Sequence, residues 1–275
     1  MNSPVAVIQM NSGSDRSDNL RQAKALMGQA IAQGAGLLVL PENFSHMGGS
    51  EQEKLENAED PIDGPSLGFL RDFASRHQVW IVGGSIPLAT PEGEKITNTC
   101  FVLDAQGETK ARYDKMHLFD VVLPLDRSYR ESNLVQAGNH PVICDTPWGR
   151  LGLAICYDVR FPELFAHLVR LGATVLTLPS AFTATTGAAH WELLVRCRAV
   201  ENFCYMLAPG QSGCHPGGRI THGHSMVVEP WGNITAQCPD GPGFALAQID
   251  GDRVASCRRQ IPSWQGSDKV PRYVS

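Results

Sequence analysis

Three stretches of this 275-residue chain end an apolar run in a residue able to do chemistry. In Leu38-Val-Leu-Pro-Glu-Asn-Phe the run closes on Pro41 and then on a carboxylate, Glu42. A carboxylate placed directly after four apolar residues is poorly solvated and therefore a better base, so Glu42 reads as a general base or, more plainly, as a loop or capping carboxylate. In Leu153-Ala-Ile-Cys-Tyr-Asp-Val-Arg-Phe-Pro-Glu, Cys156 stands where a strand gives way to a helix opened by Pro162. Such a junction can hold a nucleophile on a sharp bend and aim backbone N–H groups at an oxyanion. The plain alternative is a packed core thiol. In Ala111-Arg-Tyr-Asp-Lys-Met-His-Leu-Phe-Asp, Lys115 sits among apolar and aromatic residues. Lysines are ordinarily solvated, but a cation beside a thiol lowers the thiol's pKa and neutralises a developing oxyanion.

These residues need a scaffold, and the rest of the chain supplies an alternation of strands and helices. Apolar runs at 5–10, 36–41, 79–83, 99–103, 151–156, 173–178, 204–208, 224–228 and 244–249 read as strands. Helical spacing runs from Asn19 to Gln33, closed by Gly34, from Ser66 to His77, and from His190 to Asn202. The clearest helix follows Cys156: Pro162 occupies its first turn, Glu163 its positive end, and Gly172 terminates it. Pro230 to Asn233 supplies a hairpin turn, so the sheets are expected to be mixed. The pattern is α/β and layered, and no linker or low-complexity tract divides it, which predicts a single domain over 1–275. The polar tail from about 258 is expected to pack on a partner subunit.

Composition narrows the function. The chain is 43% hydrophobic and 19% charged with a net charge of −5 and no charge runs, which argues against nucleic-acid or anionic-membrane partners. No stretch approaches the ~18 consecutive apolar residues of a membrane span, and the first residues lack signal-peptide order, so a cytoplasmic protein is expected. None of the eight cysteines forms a C-x-x-C pair; most read as buried thiols. His222-Gly-His224, with His215 and Cys214 nearby, raises a zinc site, yet the spacing matches no familiar ligand set, and metal is assigned none. No complete G-x-S-x-G appears, which disfavours a serine hydrolase.

Taken in chain order, Pro-Glu-Asn, Asp-Lys-Met-His-Leu-Phe-Asp and Ile-Cys-Tyr-Asp-Val-Arg-Phe-Pro-Glu-Leu resemble the landmarks of the nitrilase superfamily, the carbon–nitrogen hydrolases. The likeness continues through Phe182-Thr-Ala-Thr-Thr-Gly, Arg198-Ala-Val-Glu-Asn and Gly223-His-Ser-Met-Val-Val, and so covers nearly the whole chain. It implies a four-layer αββα sandwich, dimers or higher homo-oligomers formed through helices, and a Glu42–Lys115–Cys156 triad that works without a cofactor. It also implies the backbone N–H of Tyr157 as an oxyanion donor and Glu131 as a second glutamate that positions the lysine and the substrate amide.

Substrate class follows from the same resemblance. Asp158-Val-Arg-Phe, Pro179-Ser-Ala-Phe and Gln211-Ser-Gly-Cys-His are similar to the branch holding deaminated glutathione amidases and ω-amidases, which act on 2-oxo acid amides, with the first preferred. Arg160, able to grip a carboxylate in a bidentate fork, is the candidate clamp, with a structural salt bridge as the plain alternative. Phe182 and Thr186 are expected to line the same pocket. A catalytically silent binding protein on the same scaffold is the non-enzymatic rival.

Overall fold

The computed structural model describes residues 3–91, 93–122 and 128–265. Two mixed sheets face each other. In spatial order the first holds the strands Gly243–Ala247, Val5–Gln9, Leu37–Val39, Trp80–Val82, Ile96–Leu103 and Ile86–Ala89, with Thr109–Asp114 also paired to Ile96–Leu103. The second holds Ile234–Gln237, Met226–Val228, Tyr205–Ala208, Val175–Thr177, Gly149–Leu153 and Ile143–Thr146. Each has three parallel strands at its centre and antiparallel strands outside them.

Six α-helices accompany the sheets among the described residues: α1 (Arg16–Ala32), α2 (Glu51–Glu56), α3 (Pro65–His77), α4 (Pro162–Arg170), α5 (Ala184–Asn202) and α6 (Gly251–Gln260). Strand period explains the layering. Val5 and Val7 join the core shared with the second sheet, whereas Ala6 and Ile8 point the other way, into the core formed with Leu26, Met27, Leu70 and Phe73 of α1 and α3. On the second sheet Gly152 lies under α4, where an added Cβ would stand 3.1 Å from the Leu168 Cβ. The architecture is therefore an αββα sandwich, as the resemblance implies, and its layered α/β character is what the sequence pattern predicts.

Departures from the expected boundaries have local causes. The strand expected at Thr99 begins at Ile96 and is buried throughout, because it pairs with a neighbour on each side. The helix expected from His190 starts at Ala184: the Thr183 side chain accepts from the Thr186 N–H and caps a turn whose Thr-Thr-Gly composition reads as loop. The tail expected from about 258 is helical through Gln260, with Val254 and Cys257 buried in the chain's own core. Residues 266–275 lie outside the described ones, and so does any packing of theirs on a partner.

Candidate active site

Glu42 follows the central parallel strand Leu37–Val39, Lys115 follows the strand Thr109–Asp114, and Cys156 follows Gly149–Leu153 in the opposite sheet. Functional groups at the carboxyl ends of parallel strands are the usual outcome of α/β folds. The turn at Glu42 is tight. Gly84 adopts φ +58° against it, and a Cβ there would fall 2.1 Å from the Pro41 carbonyl oxygen, so no larger residue lets the two strand ends meet. Cys156 itself has φ +48°, a left-handed conformation costing of order 1–3 kcal/mol, held by its N–H donating to the Pro179 carbonyl at 2.9 Å. The sharp bend expected at this junction is present.

The three side chains reach one cavity, and all are buried. The Lys115 Nζ donates to Glu42 Oε1 at 2.9 Å and to Glu131 Oε2 at 2.9 Å. Asn98 Nδ2 donates to the same Glu42 oxygen at 2.9 Å, and the Phe119 N–H donates to Glu131 Oε2 at 2.7 Å. The Lys115 N–H donates to the Asn98 carbonyl at 2.9 Å, so one residue braces both the backbone of the lysine and the base beside it.

Charge in this cluster is fixed by mutual attraction. Burial opposes the ammonium of Lys115, but the carboxylates of Glu131 and Glu42 outweigh it and raise its pKa. Burial likewise opposes the charge on Glu131, and Lys115 followed by Lys54 overcomes it, pulling its pKa down to about 2. The Cys156 thiol goes the other way from the sequence expectation. Burial and then the Glu42 carboxylate push its pKa well up, more than Lys115 and the Ala181 N–H pull it down. The Cys156 side chain is thus held as a neutral thiol, with the Glu42 carboxylate close enough to act on it.

Asp158, two residues after the cysteine, is fully buried and was not singled out by sequence reasoning. It accepts from Tyr113 Oη at 2.7 Å, the Ile155 N–H at 2.8 Å, the His117 N–H at 3.0 Å and His117 Nδ1 at 2.7 Å. It therefore couples the turn bearing Cys156 to the segment on either side of Lys115. Asn98 was also missed. The signal was weak, because Thr97 and Thr99 flank the amide and hide it at the polar edge of an apolar run, although a buried amide must find partners.

The expected substrate residues divide. Tyr157, Phe182 and Thr186 line the cavity, which is about 1160 Å³ and open to solvent. Arg160 does not line it. Its guanidinium is held 3.3 Å from His190 Nδ1 and lies 5.9 and 5.6 Å from the ring centroids of Tyr157 and Phe182, with no ion pair to Glu163. Both ring nitrogens of His215 are engaged, one by the Ser12 carbonyl and one by the Thr221 hydroxyl, and burial lowers its pKa. His222 belongs to a separate shallow depression and stacks near His224, which faces Asp240. Among the described residues no three His, Cys, Asp or Glu side chains gather as a metal site, and no helix is long and apolar enough to cross a membrane.

Comparison with known proteins points the same way. The deaminated glutathione amidase of Synechocystis sp. is 47% identical over 263 residues, covering 94% of this chain and 96% of its own. That of Yersinia enterocolitica is 42% identical over 276 residues, covering 100% and 94%. The crystal structure of the C. elegans NitFhit protein superposes with a TM-score of 0.92 at 38% identity, covering 98% of this chain and 67% of that one. Since the carbon–nitrogen hydrolase model also matches residues 4–259, the chain belongs to the carbon–nitrogen hydrolases, hydrolases of C–N bonds other than peptide bonds.

Proposed function

We propose that the chain is a cysteine-dependent amidase that hydrolyses deaminated glutathione to 2-oxoglutarate and cysteinylglycine. The observation that carries the chemistry is Lys115, 2.9 Å from each of two carboxylates and facing the Cys156 thiol. The relatives named above support the substrate.

Glu42 accepts the thiol proton as Sγ attacks the amide carbonyl. The negative charge that develops on oxygen is met by the Lys115 ammonium and the Tyr157 N–H, which sits in the first turn of the short helix Cys156–Arg160, where backbone donors lack intrahelical partners. Each such donor typically contributes about 3 kcal/mol to the transition state. Glu42 then returns the proton to the leaving nitrogen, the C–N bond breaks, and a thioester remains on Cys156. Water attacks that thioester, gives its proton to Glu42, and the thiol regains one as the acid departs. Glu131 holds the ammonium in place and accepts from the substrate amide. Tyr157, Phe182 and Thr186 offer the acyl portion a wall, whereas Arg160 would have to leave His190 to reach a substrate carboxylate.

The chain acts as one domain, since the core between the sheets draws on residues from Val5 to Val254. A homodimer is supported by α5, which carries Leu193 at 69% and Val200 at 42% exposure near Trp231 at 44%. A cytoplasmic location is supported by eight cysteines that are all unpaired. Turnover of deaminated glutathione, 2-oxoglutaramate, 2-oxosuccinamate and N-carbamoyl-β-alanine tests the substrate. Preference for the first upholds the reading; preference for any of the other three overturns it.

A further inference from the structure

Two cations line the cavity without a direct ion pair to a carboxylate among the described residues, although Glu131 and Glu42 lie near enough to favour the charge on one of them, Lys54. Lys54, on α2, lines the cavity, and its ammonium makes no direct hydrogen bond or ion pair among the described residues. Arg219 lines it as well. One of its terminal nitrogens donates to the Ala181 carbonyl at 2.5 Å, its guanidinium lies 5.5 Å from the Tyr129 ring centroid, and its Nε is buried without a partner. Burial most disfavours the charge on Lys54; Glu131 favours it, Arg219 opposes it, and Glu42 favours it more weakly. Glu42 and Glu131 are occupied by Lys115, Asn98 and the Phe119 N–H, and Glu51, on the same wall, is exposed and paired with neither cation. Both side chains are half-buried, and neither has a direct carboxylate partner among the described residues, so each keeps donors free for an anionic ligand.

Lys54 lies toward the carboxylates, since Glu131 and Glu42 favour its charge, and Arg219 reaches from it toward the Ala181 carbonyl. The segment that leaves Glu42 runs through Gly49 into α2 and Lys54. Gly49 packs against Gly217, with a Cβ at Gly49 falling 3.1 Å from the Gly217 nitrogen, and this contact brings the Arg219 segment alongside. Arg160, by contrast, stands behind Tyr157 and Phe182, on the nucleophile's side. The leaving nitrogen must face Glu42 to receive its proton, so whatever is attached to that nitrogen extends along the wall carrying Lys54 and Arg219.

We propose that Lys54 and Arg219 form a carboxylate subsite for the leaving-group end of the substrate, so that the enzyme is built for amides whose amine portion is itself an anion, such as a dipeptide. This rests on the reading of Cys156 and Glu42 above. It separates that substrate class from simple oxo-acid amides, whose leaving group is ammonia.

The test compares deaminated glutathione with 2-oxoglutaramate, which shares its acyl portion and lacks the leaving-group carboxylate. In Lys54→Met and Arg219→Met, KM for deaminated glutathione rises at least tenfold while that for 2-oxoglutaramate changes less than threefold, and Arg219→Lys recovers part of the loss. Equal losses on both substrates, or no loss on either, overturn the subsite. Calorimetric binding of both compounds to Cys156→Ala, with and without Lys54→Met, reads the subsite without turnover. A tenfold weakening confined to deaminated glutathione upholds it, and unchanged binding overturns it. Wild-type enzyme that binds deaminated glutathione through Lys54 but never cleaves it would sink the proposed reaction and leave the subsite standing.

Discussion

Tyr113 and Asp158 meet across the two sheets: the phenol donates to the buried carboxylate at 2.7 Å, tying the strand ahead of Lys115 to the turn that carries Cys156. Both residues are buried, and the carboxylate holds three further donors. Asp158→Asn keeps the shape but replaces one acceptor oxygen by a donor that faces N–H and O–H groups. It is expected to cost about 2–4 kcal/mol of stability by urea unfolding and at least tenfold in kcat, with a smaller effect on KM. Unaltered kcat in a folded variant would show that the link does not govern the site.

Glu42→Gln should separate turnover from thiol reactivity. Losing the base is expected to lower kcat more than a thousandfold. The same change removes a negative charge that pushes the Cys156 pKa upward. Alkylation of Cys156 by iodoacetamide, followed by peptide mass spectrometry to distinguish it from exposed Cys197 and Cys214, should therefore shift to lower pH in the variant. A shift to higher pH would contradict the electrostatic account.

Lys115→Met leaves Glu42 and Glu131 buried without their shared ammonium. Breaking one side of a buried pair costs about 3–5 kcal/mol, so both activity and stability should fall together. Lys115→Arg restores charge without the geometry and is expected to recover stability more than kcat.

Acid exposes the Glu131 interaction. Its pKa is held down to about 2 in the folded chain, below the ordinary carboxylate value, so its stabilisation is full above roughly pH 4.5 and disappears as pH falls toward 2. The loss is of order 1–3 kcal/mol. Glu131→Gln should lack that part of the acid sensitivity, and denaturant titrations at pH 5 and pH 3 measure the difference.

On α5, Leu193→Glu is expected to convert a dimer to monomers in sedimentation velocity while α5 itself remains folded by circular dichroism, because Leu193 is exposed in the single chain. A wild-type monomer at micromolar concentration would remove the helix face from consideration.

Much of the site was legible because its residues stand at strand ends, and strand ends are marked by the change from β-branched runs to Pro, Gly or polar residues. Glu42, Lys115 and Cys156 were found that way, and the resemblance added Glu131. The direction of the Cys156 shift was not legible: it depends on how near Glu42 and Lys115 lie in space and on how completely the sulfur is buried, none of which is a property of sequence spacing. Asn98 fell just outside the strand as first bounded, since polar Thr97 and Asn98 interrupt the apolar signal although the backbone pairs on both sides. Lys54 sits in a six-residue helix of almost wholly polar composition and carries no pattern that separates it from a solvated surface lysine. Arg160 was legible as a cation near the nucleophile, but its orientation is set by His190 and two rings that lie elsewhere in the chain.

Lys115 hangs from one sheet and Cys156 from the other, so the spacing of nucleophile and ammonium is set by the thickness of the side-chain layer between them. Val7, Val39, Leu151 and Leu153 in that layer act as shims. A methylene trimmed there would cost about 1 kcal/mol of stability, leave the fold standing, and still shift the distance between sulfur and ammonium.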